Sequence, residues 1–353
     1  MVFPLKIVTT NSIDPALWDN FVERHPLGTI YHHSLWQDVI KKTYGYQPLY
    51  HLLQEDSSGL QAAISSAFVK SRLTGNRIIS YPFSDTCDPL VESSEQLRVL
   101  IEAVERSRAE LNARFVELRF AKAHRFINDY PSRTEYHTYH LALDRQPEVL
   151  FRSFHKNCIQ RAVKKAKKED LEIVTGKTEQ DMKAFYRLHV ITRKKHGIPV
   201  QPFRFFRNLW DTFHFRNMLG LLLARYQKKF VAAIIVLSFS GTTYYKFGAS
   251  DEAFFSLRAN QLLMWEAIKW AHQRGCHSFD FGRTSSTNEG LSKYKSRWGT
   301  EKIPLAYLQI PTVGKSEALV ESSKKHAYLK KIMTHMPALI NRISGELLYR
   351  HFA

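Results

Sequence analysis

Residues 242–299 of the chain read TTYYKFGASDEAFFSLRANQLLMWEAIKWAHQRGCHSFDFGRTSSTNEGLSKYKSRWG. Their pattern predicts an aromatic strand that ends near Ser250, an amphipathic helix that begins near Arg258, and a short second strand that ends near Gly282. In open α/β sheets, ligands bind beyond the carboxyl ends of the strands. Because polar and cationic residues collect at both strand ends, we expect a binding site where the two strands finish.

Outside this segment, the sequence patterns predict two α/β domains and a helical tail. The first domain is expected over residues 1–145, with strands at 5–8, 48–54, 60–69, 77–81, 115–120 and 136–143 and helices at 15–24, 34–42 and 95–112. The second is expected over residues 146–315, with helices at 151–168, 179–195 and 203–215 and strands at 171–174, 218–225, 230–239 and 242–247. The last three strands are separated only by turn residues, which predicts an antiparallel meander.

Residues 316–353 are expected to form C-terminal amphipathic helices, because apolar residues recur there at threes and fours. The stripe consists of Leu329, Ile332, Met333, Met336, Ile340, Ile343 and Leu347. Two interpretations stay open: helices packed on the second domain, or an interfacial helix resting on anionic lipid.

Net charge is the unusual feature of the composition. The 353 residues contain 51 Lys and Arg against 33 Asp and Glu, a formal charge of +18. Such a charge attracts phosphates, nucleic acid or an anionic membrane surface, and by itself it does not distinguish among them. The cysteines Cys87, Cys158 and Cys276 show no spacing typical of a zinc site or a disulfide framework. We therefore expect no metal and a reduced compartment.

The predicted helix entrance at Arg258 is the first candidate site. Free backbone N–H groups and the positive end of the helix dipole attract anions there, and Arg258 adds a cation. Asn260 lies in the same turn. It is equally well explained as an ordinary residue of a helix end, so both interpretations stay open.

The end of the second predicted strand is the next candidate. Asp280 is followed by Gly282, which permits a turn or the close approach of a ligand, and by Arg283, which can bind a carboxylate or a phosphate. An Asp280–Arg283 ion pair that braces the turn is the structural alternative.

Cations alternate with aromatic residues at 293–298. If the segment is helical, Tyr294 and Trp298 share a face, whereas an extended segment would place Lys293 and Lys295 on one face. Either arrangement leaves cations near the strand ends.

The predicted helix 151–168 carries a dense set of cations that includes Lys156 and Arg161. Its apolar residues can face a core while the cations face water, so a solvated helix face is one interpretation. The other is a surface that follows a polyphosphate or an RNA backbone.

Together these motifs resemble the FemAB-like proteins of the GNAT acyltransferase superfamily. The resemblance is carried by the strand–helix–strand run at 244–283, by GLSKYK at 290–295 with WG at 298–299, and by SLW at 34–36, YGY at 44–46 and SYPF at 80–83. It covers nearly the whole chain. It implies an α/β fold with two GNAT-like domains, each a mixed, largely antiparallel sheet flanked by helices, followed by the helical tail.

The resemblance also implies roles for individual residues, because in this superfamily the acyl carrier threads between two splayed parallel strands and reaches the helix entrance. Catalytic roles are expected for Asp280, as the acceptor of the amine proton, and for Tyr245 or Lys246, beside an oxyanion. Substrate-binding roles are expected for Gly248, Ala249, Ser250, Arg258, Asn260, Arg283, Lys293, Lys295, Trp298, Lys156 and Arg161.

The function implied by the resemblance is transfer of an acyl or aminoacyl group to an amine of a cell-envelope or polysaccharide precursor such as one of peptidoglycan. No tightly bound cofactor is expected. The donor stays open between acyl-CoA and aminoacyl-tRNA, because the turn at 257–261 lacks the glycines of the usual coenzyme A signature. The alternative is a catalytically silent GNAT-fold protein that binds RNA or an anionic membrane surface.

The longest apolar run, residues 230–237, is too short to cross a bilayer. We therefore expect a cytoplasmic protein, with peripheral contact with the inner face of the membrane left open. The predicted partners are the activated donor, which includes tRNA in one alternative, and the amine-bearing precursor.

Overall fold

The computed structural model of the protein describes residues 5–55, 59–127, 130–311, 345 and 349–351. The predicted tail at 316–353 therefore lies outside the described residues except at four positions. The strands are β1 (Leu5–Thr10), β2 (Gln47–Glu55), β3 (Gly59–Val69), β4 (Arg77–Ser80), β5 (Phe115–Phe120), β6 (Ser132–Ala142), β7 (Leu171–Thr175), β8 (Leu219–Tyr226), β9 (Lys229–Phe239), β10 (Thr242–Ser250), β11 (Ser278–Asp280), β12 (Thr284–Ser285) and β13 (Glu301–Ile310). The α-helices are α1 (Pro15–Arg24), α2 (Ser34–Tyr44), α3 (Ser94–Glu110), α4 (Pro147–Ser153), α5 (Arg161–Ala166), α6 (Glu179–His196), α7 (Phe203–Phe213), α8 (Ala259–Gln273) and α9 (Glu289–Ser296).

The described residues fall into two compact units. The N-terminal unit extends to His137 and also contains Pro304 onwards in β13, while the C-terminal unit comprises Thr138–Ile303 with Gly345 and Tyr349. The domain limits predicted from the sequence, 145 and 315, stay a prediction. The divisions between the units fall inside β6, after His137, and inside β13, after Ile303.

The N-terminal unit is built on strands in the order β1-β2-β3-β4-β5-β13. Neighbouring strands are antiparallel except β4 and β5, which are parallel and are joined through α3. Parallel neighbours need such a crossover connection. Capping fixes where α3 begins, because the Ser93 side chain accepts a hydrogen bond from the N–H of Gln96.

The C-terminal unit repeats this plan with strands in the order β6-β11-β10-β9-β8-β7. The strands β8, β9 and β10 form the predicted antiparallel meander, and β10 and β11 are parallel neighbours joined through α8. The helix α8 packs against β8 and β9, and α6 packs against β9 and β10. Mixed, mostly antiparallel strands flanked by helices in each unit confirm the predicted fold class.

One face of the C-terminal sheet carries a core to which α5 and α8 both contribute. Trp298 is fully buried there, and its ring lies 5.1 Å from Phe154, which in turn lies 5.7 Å from Trp265. Truncating a buried aromatic residue of this kind to Ala costs about 3–5 kcal/mol. Residues separated by more than 140 positions in the chain are therefore held together at this point.

The prediction of one continuous helix over 151–168 is wrong. The helix α4 ends at Ser153, Phe154 is extended, and a π-helical turn over Lys156–Gln160 leads into α5. The N–H of His155 donates to the carbonyl oxygen of Arg297 at 2.9 Å, so contact with a distant segment interrupts the helix.

Candidate functional site

The gap beside the outer half of β10 is the central feature of the site. The parallel ladder between β10 and β11 pairs only Thr242–Tyr244 with Ser278–Asp280. Beyond Tyr244, β10 continues to Ser250 and pairs with β9 alone. Among the described residues, the two parallel strands thus stop pairing midway, and residues 245–249 are not paired with β11. At the end of β10, the N–H of Ser250 donates to the Thr192 hydroxyl at 2.9 Å, and that hydroxyl donates to the carbonyl oxygen of Ser250 at 3.1 Å.

A bulge at Lys246 determines which side chains face each side of this gap. The register with β9 shifts between Tyr245 and Phe247. Residues two apart in a regular strand share a face. Here Tyr245 packs against the core beside α8, whereas Phe247 lies 5.2 Å from Phe206 of α7. The Lys246 ammonium lies over the Phe247 ring at 5.7 Å.

Gly248 allows Tyr245 to adopt its position. A Cβ added to Gly248 would overlap the Tyr245 hydroxyl group, so a larger residue could not be accommodated without moving the ring. Burial raises the pKa of Tyr245 to about 12. The phenol is therefore neutral and able to donate a hydrogen bond at physiological pH. The next residue, Ala249, is buried in the strand and pairs with Ala233.

The helix entrance forms a cavity of about 210 Å³ that Ser250, Arg258 and Asn260 line together. The Asn260 amide donates to the Ser250 hydroxyl at 3.2 Å. Arg258 has φ 59°, a left-handed conformation, and immediately precedes α8, where the first backbone N–H groups have no intrahelical acceptor. The sequence thus predicted three residues that the fold brings to one cavity.

An acidic group is also present at this entrance. Asp251 lines the same cavity and caps the following turn by accepting from the N–H of Ala253 at 3.1 Å. Its carboxylate lies 3.4 Å from the ammonium of Lys229. A carboxylate beside the helix entrance opposes the approach of a diphosphate, which repels like charge.

Asp280 lies at the end of β11, almost fully buried. Its Oδ1 accepts from the Thr138 hydroxyl at 2.6 Å and from the N–H of Gly282 at 2.7 Å. Its Oδ2 lies 3.6 Å from Nε2 of His140, whose side chain is 23% exposed. The register pairs Asp280 with both Tyr244 and His140, so these three side chains share one face of the sheet.

His140 is the residue that sequence reasoning missed. It lies on β6, 140 positions before Asp280, and nothing in its local sequence marks it. A carboxylate that orients a partly exposed imidazole is an arrangement suited to accept a proton. The predicted catalytic carboxylate therefore has a neighbour better placed to meet an amine.

Two predicted substrate-binding residues have supporting contacts instead. The Lys295 ammonium is buried and donates to the carbonyl oxygens of Gly282 at 2.6 Å and Arg283 at 3.3 Å. Trp298 belongs to the core. The prediction that these two side chains bind substrate directly is corrected accordingly: Lys295 holds the loop after β11, and Trp298 packs beneath it.

The remaining predicted cations lie at the surface. Lys293 is exposed on α9 and pairs with Glu289 at 3.1 Å, while Lys156 and Arg161 are exposed on the π-helical turn and on α5. Arg283 is half-buried in the loop after β11. The structure does not gather these cations around the helix entrance, and their predicted roles remain proposals.

The N-terminal unit has an equivalent pair of parallel strands, but its own chain fills the space beyond them. The guanidinium of Arg119 donates to the carbonyl oxygen of Ser84 at 2.9 Å. The buried Asp88 accepts from the N–H groups of Ala121, Lys122 and Ala123 at 2.8, 3.0 and 2.7 Å. The loop that follows β4 is thereby fixed in place, so the open gap belongs to the C-terminal unit.

Within residues 5–55, 59–127 and 130–311, no group of His, Cys, Asp and Glu side chains could hold a metal ion. The helices of the same described part are too short or too polar for any of them to cross a bilayer.

Comparisons with known proteins agree with this fold. Residues 152–296 match the family described as "Acetyltransferase (GNAT) domain". A stretch of 92 residues is 33% identical to "Lipid II:glycine glycyltransferase" of Staphylococcus haemolyticus (strain JCSC1435) and covers 23% of this chain and 22% of that protein. The match therefore spans about a fifth of the length of this curated relative.

Solved structures show the same fold over most of the chain. The crystal structure of FemX is 16% identical with a TM-score of 0.68 and covers 85% of this chain and 96% of that one. A tandem GNAT protein from the clavulanic acid biosynthesis pathway is 10% identical with a TM-score of 0.57, covering 88% and 100%. L-PGS from Bacillus licheniformis is 12% identical with a TM-score of 0.55, covering 92% and 97%. Together with the family match, these likenesses confirm the resemblance that the sequence motifs indicated.

Proposed function

We propose that this chain, a GNAT-type transferase of the FemAB-like branch related to the peptidoglycan-bridge aminoacyltransferases, transfers an aminoacyl group from aminoacyl-tRNA to an amine of a cell-envelope precursor. The observation that carries the proposal is the parallel pair β10 and β11, which stops pairing after Tyr244 and Asp280 and leaves the edge of β10 at residues 247–249 outside the ladder. Such an edge can hold an extended acyl group by backbone hydrogen bonds.

Three features favour RNA over coenzyme A as the carrier. The turn before α8 has Arg258 where small residues would let a diphosphate approach the backbone, and Asp251 adds a negative charge to the same cavity. The surface outside the gap carries exposed cations on α5, at Arg161, Lys164 and Lys165. The relative that shares 33% identity over 92 residues is a glycyltransferase by name. Coenzyme A is the competing donor that the experiment below tests.

The proposed reaction forms an amide bond and breaks the ester bond of the donor. The acceptor ammonium first loses a proton, and the neutral nitrogen attacks the ester carbonyl carbon. Nδ1 of His140, whose Nε2 faces Oδ2 of Asp280, accepts the proton that the attacking nitrogen loses. The neutral Tyr245 hydroxyl donates a hydrogen bond to the oxyanion and then its proton to the departing ribose oxygen, which leaves as a hydroxyl group, and water reprotonates the phenolate.

The proposed proton acceptor, His140, and the proposed donor to the oxyanion, Tyr245, lie on opposite faces of the sheet. Asp280 and His140 lie on the same face as Tyr244, and Tyr245 lies on the face of α8. An acceptor amine can therefore approach from one face while the donor occupies the other. Holding both substrates in this orientation supplies much of the rate acceleration by itself.

The experiment offers purified protein a set of aminoacyl-tRNAs or acyl-CoAs, each with nucleotide-linked or lipid-linked muropeptide acceptors. Mass spectrometry of the acceptor should show a gain of one aminoacyl residue, with deacylated tRNA as the control. Transfer from acyl-CoA alone would replace the proposed donor. No transfer from either class, together with unchanged binding in His140→Gln, would refute the proposed function.

A non-catalytic polyanion-binding protein is the second candidate, favoured by the net charge of +18. Its affinity for RNA or anionic vesicles would fall steeply with salt, and substitution of Asp280 or His140 would leave that affinity unchanged. The same absence of transfer that refutes the first candidate would support this one.

A further inference from the structure

A second cavity lies on the outer side of α9 within the C-terminal unit. It measures about 520 Å³, and its lining includes the cationic residues Lys293, Arg297 and Lys302 together with His155 and Tyr139. Three serines, at positions 153, 292 and 296, add hydroxyl groups. We call this cavity the α9 pocket.

The side chains of α9 and of the residues just after it divide between the α9 pocket and the interior. Lys293 and Arg297 are four residues apart and so lie on one side of the helix, and both are exposed. Lys295 and Trp298 face inwards, where they support the loop after β11 and the core. Lys293 forms an ion pair with Glu289. Among the described residues, this is the single ion pair made by a lysine or arginine of the pocket.

Tyr139 gives the pocket a feature that surface cations alone would not. Its side chain is fully buried, and its hydroxyl has no hydrogen-bond partner among the described residues. A buried hydroxyl without a partner costs free energy, which a ligand oxygen at the pocket wall could recover. This hydroxyl therefore points to an occupant with hydrogen-bond acceptors.

The cationic surface around the pocket is larger than a single phosphate group. Lys156, Arg161, Lys164 and Lys165 are exposed on the adjoining π-helical turn and on α5. The hydrogen bond from the N–H of His155 to the carbonyl oxygen of Arg297 joins this segment to the end of α9. A row of cations that continues from a concave pocket suits a chain of phosphates better than one diphosphate or a flat lipid surface.

The pocket lies on the donor side of the sheet. Tyr139 belongs to the same core as Leu263 and Trp265 of α8, whereas the proposed proton acceptor His140 lies on the other face. We propose that the α9 pocket binds a backbone phosphate of the donor RNA close to its 3′ end, with the α5 cations following the next phosphates. This inference rests on the proposed function and assigns the surface that holds the carrier.

The test is fluorescence anisotropy with a labelled, deacylated RNA hairpin that has a single-stranded 3′ extension, measured between about 50 and 200 mM salt. Arg297→Gln and Lys302→Gln should each reduce the slope of log affinity against log salt by about 0.7 to 0.9, the value for one phosphate contact. Lys228→Gln, at the exposed β8–β9 turn, removes the same charge far from the pocket and should leave binding unchanged.

Tyr139→Phe distinguishes RNA binding in the α9 pocket from nonspecific electrostatic attraction. Removing the hydroxyl should weaken RNA binding about tenfold, which is one hydrogen bond lost in the complex, without altering the salt slope or lowering the melting temperature. The inference is overturned if Lys228→Gln weakens binding as much as Arg297→Gln, or if Tyr139→Phe binds RNA as the wild type does. It is also overturned if the pocket variants bind phosphatidylglycerol vesicles more weakly than the wild type does while their affinity for RNA is unchanged.

Turnover distinguishes this inference from the proposed function. With aminoacyl-tRNA as donor, pocket variants should raise the KM for the donor and leave kcat unchanged. Transfer that proceeds from tRNA with an unchanged KM in these variants overturns the inference and leaves the proposed function standing. Transfer from acyl-CoA without RNA binding overturns the inference and the choice of donor together.

Discussion

Replacement of Asp280 by Asn should reduce catalysis strongly while the protein stays folded. An Asn side chain can keep its oxygen where Oδ1 accepts from the Thr138 hydroxyl and the N–H of Gly282, at 2.6 and 2.7 Å. Hydrogen bonds to a charged group contribute about 1.5–3 kcal/mol and neutral ones about 0.5–1.5 kcal/mol. Asp280→Asn should therefore lower the free energy of unfolding by about 1–3 kcal/mol and leave the protein folded.

The effect on catalysis should be far larger. The Asn amide nitrogen would face Nε2 of His140 in place of Oδ2, at the position now 3.6 Å away, and would favour the wrong tautomer of the imidazole. General base catalysis contributes about 10²–10⁴ in rate, so kcat should fall by about that factor while the KM for the acceptor changes little. His140→Gln should show a similar loss, and the double variant should lose little more than either single variant.

The assay is steady-state transfer to the acceptor, read by mass spectrometry and accompanied by thermal unfolding of each variant. Thr138→Val is the matched control, because it removes one hydrogen bond from Asp280 without touching Oδ2. If folded Asp280→Asn retains the wild-type kcat, the Asp280–His140 pair is not the route of the proton.

Three further predictions concern stability and packing. Gly248→Ala should push the Tyr245 ring from its position and reduce kcat at least tenfold, whereas Ala at the exposed Gly290 should have no effect on transfer. Asp88→Ala leaves the N–H groups of residues 121–123 without their acceptor, two of them on buried residues, and should lower the free energy of unfolding by about 3 kcal/mol, as urea denaturation would show. Burial, with Arg193 as a smaller cause, lowers the pKa of His189 to about 3, so below pH 6.5 the unfolded chain takes up a proton that the folded chain does not. The free energy of unfolding should fall by about 2 kcal/mol from pH 7 to pH 5 on this account, and His189→Gln should reduce that fall; an equal fall in the variant would contradict the assignment.

Several features of the site could be predicted because they are local in the chain. Ser250, Arg258 and Asn260 lie within eleven residues, and the strand-to-helix pattern that contains them places them at one helix entrance. The inward positions of Lys295 and Trp298 could not be predicted, because a helix and an extended segment expose different sides of the same residues.

The break at Phe154 in the predicted helix over 151–168 has a similar origin. Every residue in that segment is compatible with a helix, and the break arises from a hydrogen bond to Arg297, more than 140 positions away. The loop that closes the N-terminal unit is also held by distant groups, since Asp88 reaches N–H groups of residues 121–123. Local propensity carries no information about such partners.

Periodicity and turn residues therefore predicted the antiparallel meander, the crossover through α8 and the helix entrance at Arg258, because each depends on residues close together in the chain. They did not predict β13 or the break between α4 and α5. Tertiary structure decided that Asp280 meets His140, that Tyr139 and Arg297 line one pocket, and that, within the described residues, the loop after β4 is held in place while β10 runs on past β11. The physical reason is that these arrangements depend on which strands become neighbours. Strand order is chosen by the burial of the whole core, not by the residues that later share a site.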